Sequence, residues 1–136
     1  LEKLYQDKKA QGLEIVGFPA NNFLAQEPGT DEEIQQFCSL TYNVDFPLFA
    51  KISVAGEDKH PLYNTLIHAI PERLGEGPWW KDLVDYGLTP NPKPEVLWNF
   101  EKFLIGKNGE IVARFAPDIT ADDPRITSAI EAELAK

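Results

Sequence analysis

The 136 residues have the composition of one folded globular domain, with 43% hydrophobic and 26% charged residues, which excludes a disordered protein. The net charge of -9, without a basic cluster, disfavours nucleic acid and membranes as partners, and no apolar run is long enough to span a bilayer. The single cysteine excludes an internal disulfide and fits a reducing compartment, so we expect a cytoplasmic protein.

The chain opens inside a helical pattern. Leu1, Leu4 and Tyr5 recur at helical spacing, and Gly12 predicts the end of this helix. No N-cap residue precedes Leu1 and the sequence has no Met, so we expect that a front segment is missing; a processed mature protein is the alternative. A buried strand is predicted over 13–18.

Two further helices are predicted in the first half of the chain. Thr30 is the expected N-cap of the first, with Glu33 completing a capping box. Its apolar stripe consists of Ile34, Phe37 and Cys38. Residues 46–49 form a short extended piece, and Pro61 suits the first turn of the next helix.

The second half begins with a Pro/Gly-rich excursion over 70–95, in which a short helix is predicted at 81–86. A β-hairpin follows, with a strand over 96–105, a turn at 107–109 and a partner strand over 110–115. Asp123 as N-cap and Pro124 in the first turn predict a last helix.

This order of elements predicts an α/β fold, with a central mixed sheet flanked by helices. A crossover followed by a hairpin and a terminal helix is the back part of a βαβ–ββα arrangement. The first strand of that arrangement lies in the centre of the sheet, and this sequence has no candidate for it. The 13–18 strand would then have unpaired N–H and C=O groups. We therefore expect one domain over 1–136 that lacks its first central strand.

Three segments carry the chemistry of this sequence. They are Gly-Phe-Pro-Ala-Asn-Asn-Phe at 17–23 with its continuation to Gly29, His-Pro-Leu-Tyr at 60–63, and Trp-Asn-Phe-Glu-Lys-Phe-Leu-Ile at 98–105. In this order and spacing they resemble the glutathione peroxidase family, most closely its bacterial, cysteine-using members. The resemblance implies a thioredoxin-like fold and the reduction of hydroperoxides in defence against oxidative stress. The peroxidatic Cys that it implies would lie upstream of Leu1, so the chain alone is expected to be inactive.

By position, the resemblance assigns Gln26, Trp98 and Asn99 as hydrogen-bond donors around the peroxidatic sulfur. Carboxamide and indole N–H groups donate without titrating, which suits a thiolate and the sulfenic acid formed from it. Two of the three have simpler alternatives: Gln26 as a loop residue that bonds backbone, and Trp98 as core packing. Asn99 is harder to explain by a purely structural role, because Asn is depleted in strands. Neighbours in a regular strand face opposite ways, so one site for both requires a bend or bulge there.

Cys38 lies near the position of the family's resolving Cys. The functional interpretation is that it attacks the sulfenic acid and closes a disulfide that thioredoxin reopens. The alternative is a small apolar residue of the helix stripe. The sequence departs from the usual family motif at Ala20, where a Cys is common, and at Asn22, where a Gln is common.

The leading hypothesis is a thiol peroxidase with thioredoxin or glutathione as reductant, and a single resolving-type Cys favours thioredoxin. No cofactor is expected, and His60 and His68 are too few for a metal site. One alternative is a non-catalytic binding or assembly module; another is a domain completed by a strand from another chain. Trp79 and Trp80 are expected either at an oligomer contact or folded onto the core.

Overall fold

The computed structural model describes residues 1–23 and 28–136, without the side chains of 76–78. In this part of the chain the elements are α1 (Glu2–Lys8), a 3-10 helix (Lys9–Gln11), α2 (Asp31–Tyr42), α3 (Pro61–Ala69), α4 (Glu76–Asp85), β1 (Lys102–Ile105), β2 (Ile111–Phe115) and α5 (Pro124–Leu134). They group into two compact units, an N-terminal unit (Leu1–Val54) and a C-terminal unit (Ala55–Lys136). Every described helix is too short or too polar to cross a bilayer. The single domain over 1–136 stays a prediction.

The first helix is anchored by its own first residue. The Glu2 carboxylate accepts hydrogen bonds from the backbone N–H groups of Asp45 (2.5 Å) and Phe46 (3.3 Å). Tyr5, one turn later, meets the ring of Phe46 edge-on at 6.1 Å between centroids. The helical turns end at Gly12, which has a left-handed φ of 113°. This end agrees with the sequence pattern.

The strand predicted over 13–18 is wrong for the described residues. Only one isolated parallel bridge is present there, between Gly17 and Leu48. The Gly17 N–H donates to Pro47 O, and the Phe49 N–H donates to Gly17 O, both at 2.9 Å. A Cβ on Gly17 would lie 2.5 Å from the Leu48 side chain, so the close approach requires glycine. The backbone is extended but has no further neighbour to build a ladder.

The helix caps follow the sequence closely. Thr30 Oγ1 accepts from the Glu33 N–H at 3.2 Å and starts α2. His60 Nδ1 accepts from the Leu62 N–H at 3.1 Å, which places Pro61 in the first turn of α3. Asp123 caps α5 through the N–H of Arg125 at 2.9 Å.

The Pro/Gly-rich excursion holds a longer helix than the predicted 81–86. Helix α4 already begins at Glu76, after Gly75 in the left-handed region at φ 81°. A Cβ at Gly75 would lie 2.5 Å from Ile119 Cδ1, so the turn into α4 depends on glycine at this position.

The sheet of the C-terminal unit is a small one. Strands β1 and β2 pair antiparallel, with a bulge between Leu104 and Ile105. Leu74 adds an isolated parallel bridge to Phe115, with both hydrogen bonds at 2.9 Å around that strand end. The core of this unit includes Leu66, Ile67, Leu83, Val96, Leu97, Phe115, Ala116, Ile119, Ile126 and Ile130. The predicted strand over 96–105 is thus shortened to Lys102–Ile105.

Candidate functional site

The shortened strand leaves Trp98 and Asn99 in a turn over 98–100, immediately before β1. Both residues are half-buried, whereas Phe100 is 74% exposed. Phe100 has a φ of +68°, a backbone conformation uncommon for a residue with a large side chain. The strand entry is therefore bent where the sequence argument required a bend, and the two predicted donors share one turn.

The segment before this turn is closed by local hydrogen bonds. The Glu95 N–H donates to Pro92 O at 2.9 Å, and Asn91 Nδ2 donates to Val96 O at the same distance. Val96 and Leu97 are buried at 3% and 1% exposure, which fixes the segment on the core of the C-terminal unit. The turn with Trp98 and Asn99 thus starts from a well-anchored point.

A buried ion cluster follows the turn. It consists of Glu101, Arg73 and Arg114, and we call it the Glu101 cluster; all three side chains are at most 1% exposed. Arg114 contacts Glu101 Oε2 through Nε at 2.7 Å and through Nη2 at 2.6 Å, so the contact is bidentate on the Arg114 side and uses one carboxylate oxygen. Arg73 Nε lies 3.1 Å from Glu101 Oε1. The same Oε1 accepts from the Leu97 N–H at 3.0 Å, on the other side of the turn.

The two guanidinium groups also bind backbone carbonyls. The carbonyl of Glu95 accepts from Arg73 Nη2 at 2.5 Å and from Arg114 Nη2 at 3.1 Å. Arg114 Nη1 donates to the carbonyls of Ile70 and Pro71, at 3.1 and 3.3 Å. The cluster therefore ties the segment before the turn to the start of the excursion that leads to α4.

Two lysines add to the fixation. Lys102 Nζ donates to Phe100 O at 2.6 Å and reaches Pro117 O at 3.4 Å. Burial lowers the pKa of Lys102, against the opposing effect of nearby carboxylates. Lys59 Nζ lies 2.5 Å from Glu95 Oε1. The turn is thus held through the carbonyl of Phe100 as well as through Glu101.

An aromatic layer covers the cluster. The Arg114 guanidinium lies 5.0 Å from the ring centroid of Phe103, and Tyr63 meets that ring edge-on at 6.0 Å. Burial, with the negative charge of Glu101, raises the pKa of Tyr63 to about 12. Its phenol therefore stays neutral well into the alkaline range.

Cys38 is the other predicted site residue that the structure describes. Cys38 is half-buried in the second half of α2, in the N-terminal unit, and its carbonyl accepts from the N–H of Val44 at 3.1 Å. On the predicted stripe, Ile34 is buried but Phe37 is 55% exposed, so the stripe is only partly covered. Gln26 falls outside the described residues.

The other candidates have structural explanations. His60 caps α3, and His68 bonds the carbonyl of Asn64 at 2.7 Å. Trp79 and Trp80 are half-buried in α4, and the Trp79 indole N–H is buried without a hydrogen-bond partner among the described residues. Within the described ranges, no group of three His, Cys, Asp or Glu side chains is placed to hold a metal.

Sequence reasoning missed the Glu101 cluster. Two signals pointed to it: Glu101 stands between the aromatic residues Phe100 and Phe103, and Arg114 interrupts an apolar strand. A charged residue inside a buried strand is rare unless it is paired. Arg73 gave no such signal, because it lies in an irregular segment.

Comparison with known proteins gives one consistent result. The family model for glutathione peroxidase matches residues 1–67. The chain is 44% identical to the thioredoxin/glutathione peroxidase BtuE of Escherichia coli, over 100% of this chain and 75% of that protein. It is 40% identical to the hydroperoxy fatty acid reductase Gpx2 of Synechocystis, over 98% of this chain and 70% of that protein. It is 39% identical to the glutathione peroxidase homolog BsaA of Bacillus subtilis, over 87% of this chain and 63% of that protein.

Solved structures agree with the sequence relatives. The apo form of Trgpx superposes with a TM-score of 0.66 and 30% identity, over 100% of this chain and 68% of that one. The GPX1 of T. cruzi superposes with a TM-score of 0.63 and 28% identity, over 98% of this chain and 68% of that one.

Proposed function

Since the chain belongs to the glutathione peroxidase family and has its thioredoxin-like fold, we propose that it is a thiol peroxidase that reduces hydrogen peroxide and organic hydroperoxides. The observation that supports this most directly is the turn over 98–100, which contains both Trp98 and Asn99 at a bent strand entry. The cytoplasm, a reducing compartment, is the proposed location.

The proposed chemistry needs a thiolate and neutral donors around it. The thiolate sulfur attacks one peroxide oxygen, the O–O bond breaks, and the products are a sulfenic acid and an alcohol or water after protonation. Trp98, Asn99 and Gln26 are the proposed donors to the thiolate and then to the sulfenic oxygen.

Reduction of the sulfenic acid completes the proposed cycle. A second thiol attacks the sulfenic sulfur, water leaves and a disulfide forms; a dithiol such as thioredoxin then takes up the oxidation. Cys38 is the proposed second thiol. Glutathione is the other proposed reductant, acting directly on the sulfenic acid.

The donor role is tested in the full-length natural protein that contains these 136 residues. Trp98→Phe and Asn99→Ala should each lower kcat/KM for hydrogen peroxide by about 10-fold or more, as loss of a donor to a developing charge does elsewhere. The measurement is a thioredoxin-coupled peroxidase assay, repeated with an organic hydroperoxide. Trp80→Phe, which alters a half-buried indole in α4, is the matched control and should retain the parent rate.

Two outcomes would contradict the proposal. Parent-like rates in both Trp98→Phe and Asn99→Ala would remove the donors from the mechanism. A full-length product without hydroperoxide reduction would favour the non-catalytic binding or assembly module. Robust hydroperoxide reduction by the 136-residue chain alone would place the peroxidatic thiol at Cys38, the one cysteine of this sequence.

A further inference from the structure

We propose that Glu101 is a positioning residue for the peroxidase reaction, because its carboxylate closes and orients the turn that presents Trp98 and Asn99. This inference rests on the proposed function, in which those two side chains are donors to the reacting sulfur. It assigns the buried Glu101 cluster a task beyond packing. In this proposal, Glu101 is neither a donor to the reacting sulfur nor in contact with the substrate.

The hydrogen bonding of Glu101 spans the turn. Its backbone lies just after the turn, and its Oε1 accepts from the Leu97 N–H just before the turn, at 3.0 Å. One side chain therefore bridges the two ends of the turn. A buried hydrogen bond to a charged group is stronger than a neutral one, so the closure is firm.

Glu101 is itself held from both sides. The bidentate contact with Arg114 and the contact of Arg73 Nε fix both carboxylate oxygens. The same two arginines donate hydrogen bonds to the carbonyl of Glu95. The residues on either side of Trp98 and Asn99 are thus bound to one rigid group rather than to separate partners.

The backbone of the turn is strained at Phe100. Phe100 has a φ of +68°, and its side chain is 74% exposed, so burial of the ring does not offset the cost of this backbone conformation. Such a residue persists in this region only where the surroundings determine it. Glu101 on one side and the Lys102 bond to Phe100 O at 2.6 Å on the other supply that determination.

Glu101→Gln tests the proposal in the full-length natural protein. Gln keeps the shape, but its NH₂ group meets a guanidinium donor where a carboxylate oxygen stood, so the turn should lose its fixed geometry. We expect kcat/KM for hydrogen peroxide to fall by about 10- to 100-fold, the scale of a small misplacement of reacting groups. The matched control is Glu133→Gln, the same exchange at a side chain that is 15% exposed and paired with Lys136 at 2.7 Å, and it should keep the parent rate.

A double-mutant cycle separates positioning from general loss of folding. In a Trp98→Phe/Asn99→Ala background, Glu101→Gln should cost little more, because the groups that it orients are gone. An equal fold-loss in both backgrounds would overturn the proposal and leave a merely structural role. If Trp98→Phe/Asn99→Ala is as active as the parent, the proposed donor role of these two side chains fails, and a spectroscopic test decides whether Glu101 orients the turn.

The spectroscopic readout needs no activity. In a ¹H–¹⁵N spectrum, Trp98→Phe and Asn99→Ala assign the Trp98 indole and the Asn99 side-chain amide. Glu101→Gln should shift or broaden both signals and leave the Trp80 indole in place; unchanged Trp98 and Asn99 signals in a folded variant would overturn the proposal. If Glu101→Gln does not fold, Arg114→Lys, which keeps the charge but loses the bidentate contact, is measured against the same expectations.

Discussion

At the scale of single residues, the Glu101 cluster is costly. Each buried ion loses several kcal/mol of hydration, and an isolated buried pair often contributes nothing net to stability. Here the contact with Glu101 and the carbonyls of Ile70, Pro71 and Glu95 satisfy the N–H donors of Arg114. These carbonyl dipoles also stabilise the positive charge that remains because two guanidinium groups share one carboxylate. The cluster therefore favours one geometry over others more than it favours folding itself.

Removing Glu101 exposes that cost. Two buried guanidinium groups would face each other without their shared anion, and loss of one partner of a buried ion group typically costs about 3–5 kcal/mol. A native domain has only about 5–15 kcal/mol in all. Activity of Glu101→Gln is therefore best compared well below the melting temperature of the variant.

Cys38 admits a residue-scale test of its proposed resolving role. In the full-length product, Cys38→Ser should abolish thioredoxin-dependent turnover, because no second thiol remains to expel water from the sulfenic acid. The sulfenic acid should accumulate after one peroxide equivalent, detected as a dimedone adduct by mass spectrometry. Turnover with glutathione should persist.

The neighbour provides the control. Ser39→Ala changes the adjacent residue of α2 without touching a thiol and should leave both reductants effective. If Cys38→Ser keeps its thioredoxin turnover and only lowers the melting temperature, Cys38 is a packing residue of the α2 stripe.

At the scale of elements, the N-cap of α5 has a defined pH dependence. Hydrogen bonds from the Arg125 side chain and N–H lower the pKa of Asp123 from 3.8 to about 2. A depressed pKa means that the cap stabilises the fold above about pH 4, and that this contribution is lost as the pH falls through about 2. Asp123→Ala should therefore lower the melting temperature at pH 7, and its difference from the parent should close between pH 4 and 2, followed by circular dichroism.

Asp85→Ala is the control for that experiment. Asp85 is exposed and pairs with Lys81 at 3.6 Å, an arrangement that contributes little. Its difference from the parent should be small at pH 7. A gap for Asp123→Ala that stays constant down to pH 2 would show that the cap acts through the backbone alone.

The caps were predictable because their signals are local. Thr30, Pro61 and Asp123 each stand next to the helix that they start, and the structure confirms all three. The 13–18 strand was not predictable in the same way. Its apolar pattern is real, but a strand also needs a neighbour, and pairing is not encoded in the pattern of one segment.

The site was half predictable for a related reason. One site for both Trp98 and Asn99 requires a bend at the strand entry, and the turn over 98–100 provides one; their role as donors stays a prediction. The device that stabilises the turn did not follow, because Arg73 reaches it only through the parallel bridge of Leu74 to β2. Contacts between segments distant in sequence are set by tertiary structure, beyond local propensity.

At the scale of the whole molecule, the net charge is negative, whereas the buried Glu101 cluster is positive. The chain carries a net charge of -9, while the Glu101 cluster holds a surplus of positive charge in the interior. Exposed pairs such as Lys93 with Glu72 are individually weak. Repulsion among surface carboxylates should therefore oppose folding at low ionic strength.

This repulsion predicts a salt dependence of stability. The screening length shrinks from about 30 Å at 0.01 M to about 10 Å at 0.1 M salt, so added NaCl should weaken the repulsion. The melting temperature at pH 7 should rise between these concentrations, measured by circular dichroism or calorimetry. The buried Glu101 cluster is screened much less and should not offset the gain.

The prediction has a variant that isolates its cause. Glu57→Gln/Glu110→Gln removes two exposed carboxylates and should raise the melting temperature at low salt while reducing its increase with NaCl. An equal salt increment in parent and variant would point to general salt effects on apolar burial instead of charge repulsion. A melting temperature that falls with NaCl would show that the exposed ion pairs outweigh the repulsion, since screening weakens attraction and repulsion alike.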